Sequence, residues 1–173
     1  MLLILGDSFA HWAGARDMGP GVVARGWRGA RLADEEFRRW AINVTLQQRP
    51  RDVLLIVGGN DVACPQFSPR LLGQMFQELI LGIYAAGAEY VLNIPPRSVT
   101  RPGSASVSVY RRRRRLINLM LRRLSRRPAS GNAPRFALRE VALSPGFLGR
   151  DGVHPSPTGW RDLGRVIHDI LAV

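Results

Sequence analysis

Asp52-Val53-Leu54-Leu55-Ile56-Val57-Gly58-Gly59-Asn60-Asp61 is the stretch that decides the fold. Val53–Val57 is apolar at every position, so both faces of the segment need cover, as in a buried parallel strand. The run stops at once in glycines and turn-forming polar residues. Leu2–Leu5 repeats the pattern and breaks into Gly6-Asp7-Ser8. Tyr90–Ile94 ends at Pro95-Pro96, Val22-Val23-Ala24 reads as a shorter strand, and Arg135–Leu138 as a weaker fifth. Helix-period segments lie between them. A loop and short helix pass through Phe9, His11 and Trp12. A helix from Leu32 to Gln48 places Leu32, Phe37, Trp40, Ala41 and Val44 at spacings of three to five before Pro50 stops it. Another starts after Ser68-Pro69 and ends near Ala86-Gly87, a long one covers Ser106–Arg127, and the last begins at Ser156-Pro157. Strands alternating with helices predict an α/β fold on a parallel sheet of about five strands. With no repeat and no long linker, residues 1–173 read as one domain.

Composition narrows the class. The chain is 46% hydrophobic, which suits a soluble globular protein. Its apolar runs fall far short of the roughly 20 residues of a membrane span. Met1–Leu5 lacks a basic flank and reads as a strand rather than a leader. A single cysteine, Cys64, forms no internal disulfide, so a reducing, cytoplasmic setting is expected. Its place suggests a loop or pocket edge. Twenty-five basic residues, all arginine, face thirteen acidic ones, for a net charge of +12. Such an excess favours contact with polyanions, nucleic acid or an acidic membrane surface.

Nine arginines fall in the helix 106–127. At the helical period Tyr110, Leu116, Ile117, Met120, Leu121 and Leu124 form an apolar face, with Arg111, Arg115, Arg122 and Arg126 opposite. The stripe is either a solvated surface or a site for RNA or anionic phospholipid. Arg113 and Arg127 point toward the apolar arc. No aromatic residues interleave with the arginines, so base-specific readout is not expected.

Acyl transfer needs a nucleophile, a base, a group that orients the base, and donors for an oxyanion. Ligands of parallel α/β sheets bind at the carboxyl edge, where Gly6-Asp7-Ser8 and Gly58-Gly59-Asn60-Asp61 both emerge. Ser8 is a candidate nucleophile or a helix cap. Asp151-Gly152-Val153-His154 lets one loop present a carboxylate and an imidazole together, or is an ordinary turn. Asn60 offers an amide donor, and Gly29 a backbone N–H, although Gly26 lies three residues earlier. His11 follows Ser8 by three residues and takes a supporting role, and His168 is structural. Three histidines without a clustered ligand pattern argue against a catalytic metal, and no cofactor is implied. The absence of Lys excludes a Walker-type phosphate loop, and no Gly-x-Ser-x-Gly elbow is present.

Taken in order, Gly6-Asp7-Ser8, a glycine in the second loop, Gly58-Gly59-Asn60-Asp61 and Asp151-Gly152-Val153-His154 resemble the four blocks of the SGNH (GDSL-like) hydrolases. The resemblance implies a flavodoxin-like three-layer α/β/α sandwich and an esterase acting on small acyl esters. It further implies that Ser8 is the nucleophile, His154 its base and Asp151 the orienting carboxylate. Gly29, Asn60 and the Ser8 N–H would then form the oxyanion hole. A finer similarity links Gly6–Ala13, Gly26-Trp27-Arg28-Gly29-Ala30-Arg31 and Ile94-Pro95-Pro96-Arg97 to SGNH domains embedded in retrotransposon proteins. A hydrolase and a polyanion-binding module with a vestigial site both remain open at this level. So does homo-oligomerisation.

Overall fold

A computed structural model describes residues 1–127 and 135–173. Five parallel strands, β1 (Leu2–Gly6), β2 (Val22–Gly26), β3 (Asp52–Ile56), β4 (Glu89–Leu92) and β5 (Ala137–Arg139), line up in the order β2-β1-β3-β4-β5. Among the described residues six helices accompany them: α1 (Ser8–Ala13), α2 (Glu35–Gln48), α3 (Gly59–Ala63), α4 (Pro69–Gly82), α5 (Val107–Ser125) and α6 (Pro157–Leu171). The strand order is the flavodoxin-like one, and it reverses direction between β1 and β3.

Side-chain alternation explains why the central strands are apolar throughout. Leu3, Leu5, Val53, Leu55 and Val91 point to one face, where Phe37 and Ala41 of α2, Phe76 and Leu79 of α4, and Ile117 and Leu121 of α5 cover them. Leu2, Ile4, Leu54, Ile56, Tyr90 and Leu92 point to the other, under Phe9 and Ala10 of α1 and Leu163, Val166 and Ile170 of α6. Two apolar clusters on opposite faces of one sheet make three layers.

Element boundaries depart from the periodic pattern where tertiary hydrogen bonds capture the backbone. α2 starts at Glu35 rather than Leu32, because the Asp61 carboxylate accepts the N–H groups of Leu32 (2.9 Å) and Ala33 (3.1 Å). α4 ends at Gly82, short of Ala86. The Tyr84 N–H donates to Thr45 Oγ1 at 2.9 Å, and Ala86 and Gly87 donate to the carbonyls of Pro50 and Arg51. β4 stops at Leu92, and the Ile94 N–H turns to the Asn118 side chain of α5 at 2.7 Å. α3 occupies the segment expected to be a loop after β3.

The arginine helix differs from expectation at Leu116 and at Arg122. Tyr110, Ile117, Leu121 and Leu124 are buried, but Leu116 is half exposed. At about 100° per residue it lies roughly 120° from the centre of the buried arc. Arg113, expected near that arc, lies there together with Arg114, and both turn inward. Arg113 donates to the carbonyls of Val62 (3.2 Å) and Cys64 (2.7 Å), and Arg114 Nε to that of Ile94 (2.6 Å). Arg122 is not a free cation, since it is paired with Glu140 at the end of β5. Arg111, Arg115 and Arg126 are exposed, as expected of the stripe. No helix among the described residues is long and apolar enough to cross a membrane.

Candidate active site

The segments that follow β1, β2 and β3, together with the 149–154 turn, build the site at the carboxyl edge of the sheet, and glycine lets them approach. A β-carbon on Gly6 would collide with the Ile56 carbonyl. Only glycine therefore lets β1 leave the sheet this close to β3. The Asp7 N–H still donates to Ile56 O at 3.0 Å, and Asp7 Oδ1 accepts the Phe9 N–H at 2.9 Å to cap α1. Ser8 thus becomes the first residue of α1, with a backbone N–H that has no partner within the helix.

The last loop brings the second group. Gly149 N–H donates to His154 O at 2.7 Å and Ser98 N–H to Gly152 O at 2.9 Å, which ties the 149–154 turn to the loop after β4. His154 Nε2 lies 2.8 Å from Ser8 Oγ, across 146 positions of sequence. His154 Nδ1 lies 2.6 Å from Asp151 Oδ2.

Partial burial pushes the Asp151 carboxyl up. Hydrogen bonds from the His154 ring and from the Val153 and His154 N–H groups outweigh it and hold the pKa at about 2. Asp151 is therefore an anion at neutral pH and acts only as an acceptor, so Nδ1 carries the imidazole proton. In the neutral ring Nε2 is then a lone pair facing the serine O–H. The arrangement can move a proton from Ser8 to His154 while Asp151 steadies the charge.

The Gly-Asn-Asp segment sits on α3, across the cleft. Asn60 Nδ2 donates to Ala30 O at 3.0 Å, and Asn60 Oδ1 accepts from Arg97 at 2.9 Å. These contacts fix which end of the amide is which and leave one N–H of Nδ2 uncommitted. Asp61, alongside, holds Leu32 and Ala33, so α3 grips the loop after β2 at three points. Burial pushes the Asp61 carboxyl above its ordinary range despite those N–H groups.

That loop carries Gly29, which lines the same cleft of about 310 Å³ as Ser8, Asn60 and His154. Its φ of +74° is a left-handed conformation that favours glycine. Gly26 serves a different purpose, since a β-carbon there would strike the backbone of Asp7 and His11. The two glycines that sequence left in competition are thereby separated.

The two other histidines fall outside the cleft. His11 is exposed and edge-on to Trp12, with ring centroids 5.1 Å apart. His168 is exposed on α6 beside Asp169. Cys64 lies at the cleft wall within 3.5 Å of Arg31. Sequence reasoning missed Arg97, which holds Asn60 and stands over the Tyr110 ring at 5.2 Å. Its signal was its place two residues after the strand-ending Pro95. The Tyr110 hydroxyl donates to Pro95 O at 2.8 Å and secures that turn.

Comparison with known proteins agrees with this frame. The family model for GDSL-like lipases and acylhydrolases matches residues 4–161. No curated protein sequence matches the chain. Among solved structures, a proposed acylhydrolase from Bacteroides fragilis superposes with a TM-score of 0.80 at 14% identity, covering 99% of this chain and 86% of its own. A carbohydrate esterase of family 3 from Talaromyces cellulolyticus gives 0.69 at 17%, covering 99% and 95%. An acetylxylan esterase from Geobacillus stearothermophilus gives 0.55 at 20%, covering 96% and 91%. At such identities these neighbours establish the fold, while the match over residues 4–161 establishes descent: the chain belongs to the GDSL-like lipase/acylhydrolase family and is an SGNH-type serine hydrolase.

Proposed function

We propose that the protein hydrolyses small acyl esters, acetyl or short-chain, through an acyl-enzyme on Ser8. The observation that carries this is the Ser8–His154–Asp151 chain of contacts at 2.8 and 2.6 Å. Ser8 Oγ attacks the ester carbonyl as His154 Nε2 takes its proton. The ester C–O bond then breaks, and the departing alkoxide receives that proton from His154. Water, deprotonated by the same imidazole, attacks the acyl-enzyme and releases the carboxylate with Ser8 restored. The Ser8 and Gly29 N–H groups and the free N–H of Asn60 receive the negative charge on the carbonyl oxygen. The likeness to an acetylxylan esterase supports a short acyl group.

In this reading residues 1–173 work as one hydrolase domain. The Trp- and Arg-rich flanks of the motifs, similar to retrotransposon-embedded domains, support a place within a larger retroelement protein. The arginine stripe of α5 keeps three exposed guanidinium groups of its four, and no further observation favours an RNA or phospholipid partner. Replacing Ser8→Ala is expected to reduce 4-nitrophenyl acetate hydrolysis to the buffer rate and to abolish labelling by a fluorophosphonate. Undiminished turnover, or an adduct on another residue, overturns the assignment.

A further inference from the structure

Four arginines converge on the catalytic cleft from two loops far apart in sequence. Arg28 and Arg31 come from the segment after β2, and Arg97 and Arg101 from the segment after β4. Among the described residues, no Asp or Glu lines the cleft. Arg31 is engaged by Asp34 at 3.1 Å, and Arg97 by Asn60. Arg28 and Arg101 have no carboxylate partner among the described residues. Arg28 is spread over the Trp12 ring at 5.4 Å, which holds its guanidinium at the cleft mouth. Thr100 and Ser104 add hydroxyl donors beside Arg101.

Such a surface discriminates by charge. A neutral ester gains little from it, whereas a planar guanidinium fork fits phosphate oxygens and retains its charge at any working pH. The acyl half of a bound ester has to lie over Ser8 and Asn60. With a short acyl group there, the alcohol half is the part that extends toward the cleft rim, where Arg28 and Arg101 are both exposed.

We propose that the preferred substrate is an acyl ester whose alcohol half carries a phosphate, held by Arg28 and Arg101 with Arg31 and Arg97 supplying background positive potential. This rests on the hydrolytic reading of Ser8, and names the class of ester that the site selects.

Two matched pairs distinguish the source of the phosphate. One is 1-acetylglycerol 3-phosphate against 1-acetylglycerol, the other 3′-O-acetyladenosine 5′-monophosphate against 3′-O-acetyladenosine. At low salt, kcat/KM is expected to favour the phosphorylated member of at least one pair by about tenfold or more, mainly through KM. The ratio should shrink as ionic strength rises and fall toward one in the Arg28→Ala/Arg101→Ala double variant. A ratio near one in both pairs, or one that survives the double substitution, overturns the proposal. Binding gives a readout independent of turnover. Ser8→Ala protein is expected to bind glycerol 3-phosphate or adenosine 5′-monophosphate by calorimetry and to lose that heat when Arg28 and Arg101 are also replaced. If neither phosphate binds, the anion site is wrong even where 4-nitrophenyl acetate is hydrolysed. If one binds but no ester is turned over, the anion site stands and the Ser8 reading fails.

Discussion

Asn60 is held in one orientation by two contacts, and its proposed place in the oxyanion hole depends on that orientation. An amide can rotate end for end at little cost in shape, so donation into the cleft requires the two ends to be told apart. Ala30 O accepts from one end, and Arg97 donates to the other. In the proposed oxyanion hole the remaining N–H would meet the developing charge without the amide having to turn over. Replacing Asn60→Ala is expected to lower kcat for 4-nitrophenyl acetate by about 10²–10³, corresponding to roughly 3–4 kcal/mol, with little change in KM. Steady-state kinetics check this. A kcat within twofold of the parent removes Asn60 from the oxyanion hole. That Ser8, His154 and Asp151 come together was readable at the same scale. Each lies in a short polar segment beside glycine, where the sequence breaks sharply from an apolar run or a helix.

Elements explain what was legible and what was not. Strands β1 and β3 announce themselves because both faces are covered, which leaves an uninterrupted apolar run. Helix ends did not, because side chains distant in sequence set them. Asp61 delays α2, Thr45 helps terminate α4, and Asn118 draws Ile94 out of β4. Periodicity contains no information about such partners. The same holds for the cleft's charge, since neither Arg28-Gly29-Ala30-Arg31 nor Arg97–Arg101 appears unusual until the fold brings them together. Asp61 is the test of this tertiary control. Its two oxygens accept two backbone N–H groups, so Asp61→Asn would set an amide donor against a donor. The variant is expected to lose about 1–3 kcal/mol of stability in urea unfolding. It should also lose activity, as the loop bearing Gly29 loosens. Unchanged values for both would mean that the loop holds its shape without this latch.

For the whole molecule, the sheet's switch point between β1 and β3 fixes where chemistry can occur and also what burial costs. The chain leaving β1 must turn inside the protein, and the turn carries a carboxyl. Asp7 is 3% exposed, and desolvation raises its pKa to about 7, although the Phe9 N–H and the Arg97 charge both pull it down. Burial likewise raises Glu89, at the start of β4, to about 7. A carboxyl whose pKa is higher folded than unfolded keeps its proton in the native state while the unfolded chain has already lost it. Stability therefore falls as pH rises from near 4 to near 7, and levels off above that. Asp151 acts in the opposite sense. The stability that it contributes is present above the ordinary carboxylate range and is lost as pH falls toward 2. The protein is thus expected to unfold at a lower urea concentration at pH 8 than at pH 5, with Asp7 responsible for roughly 2–3 kcal/mol of the difference. Asp7→Asn keeps an oxygen to cap Phe9 but has no charge to desolvate, so its midpoints at the two pH values should lie closer together. If the gap between them is as wide as in the parent, Asp7 is ionised in the folded protein, and a carboxylate rather than a neutral acid lies beneath Ser8.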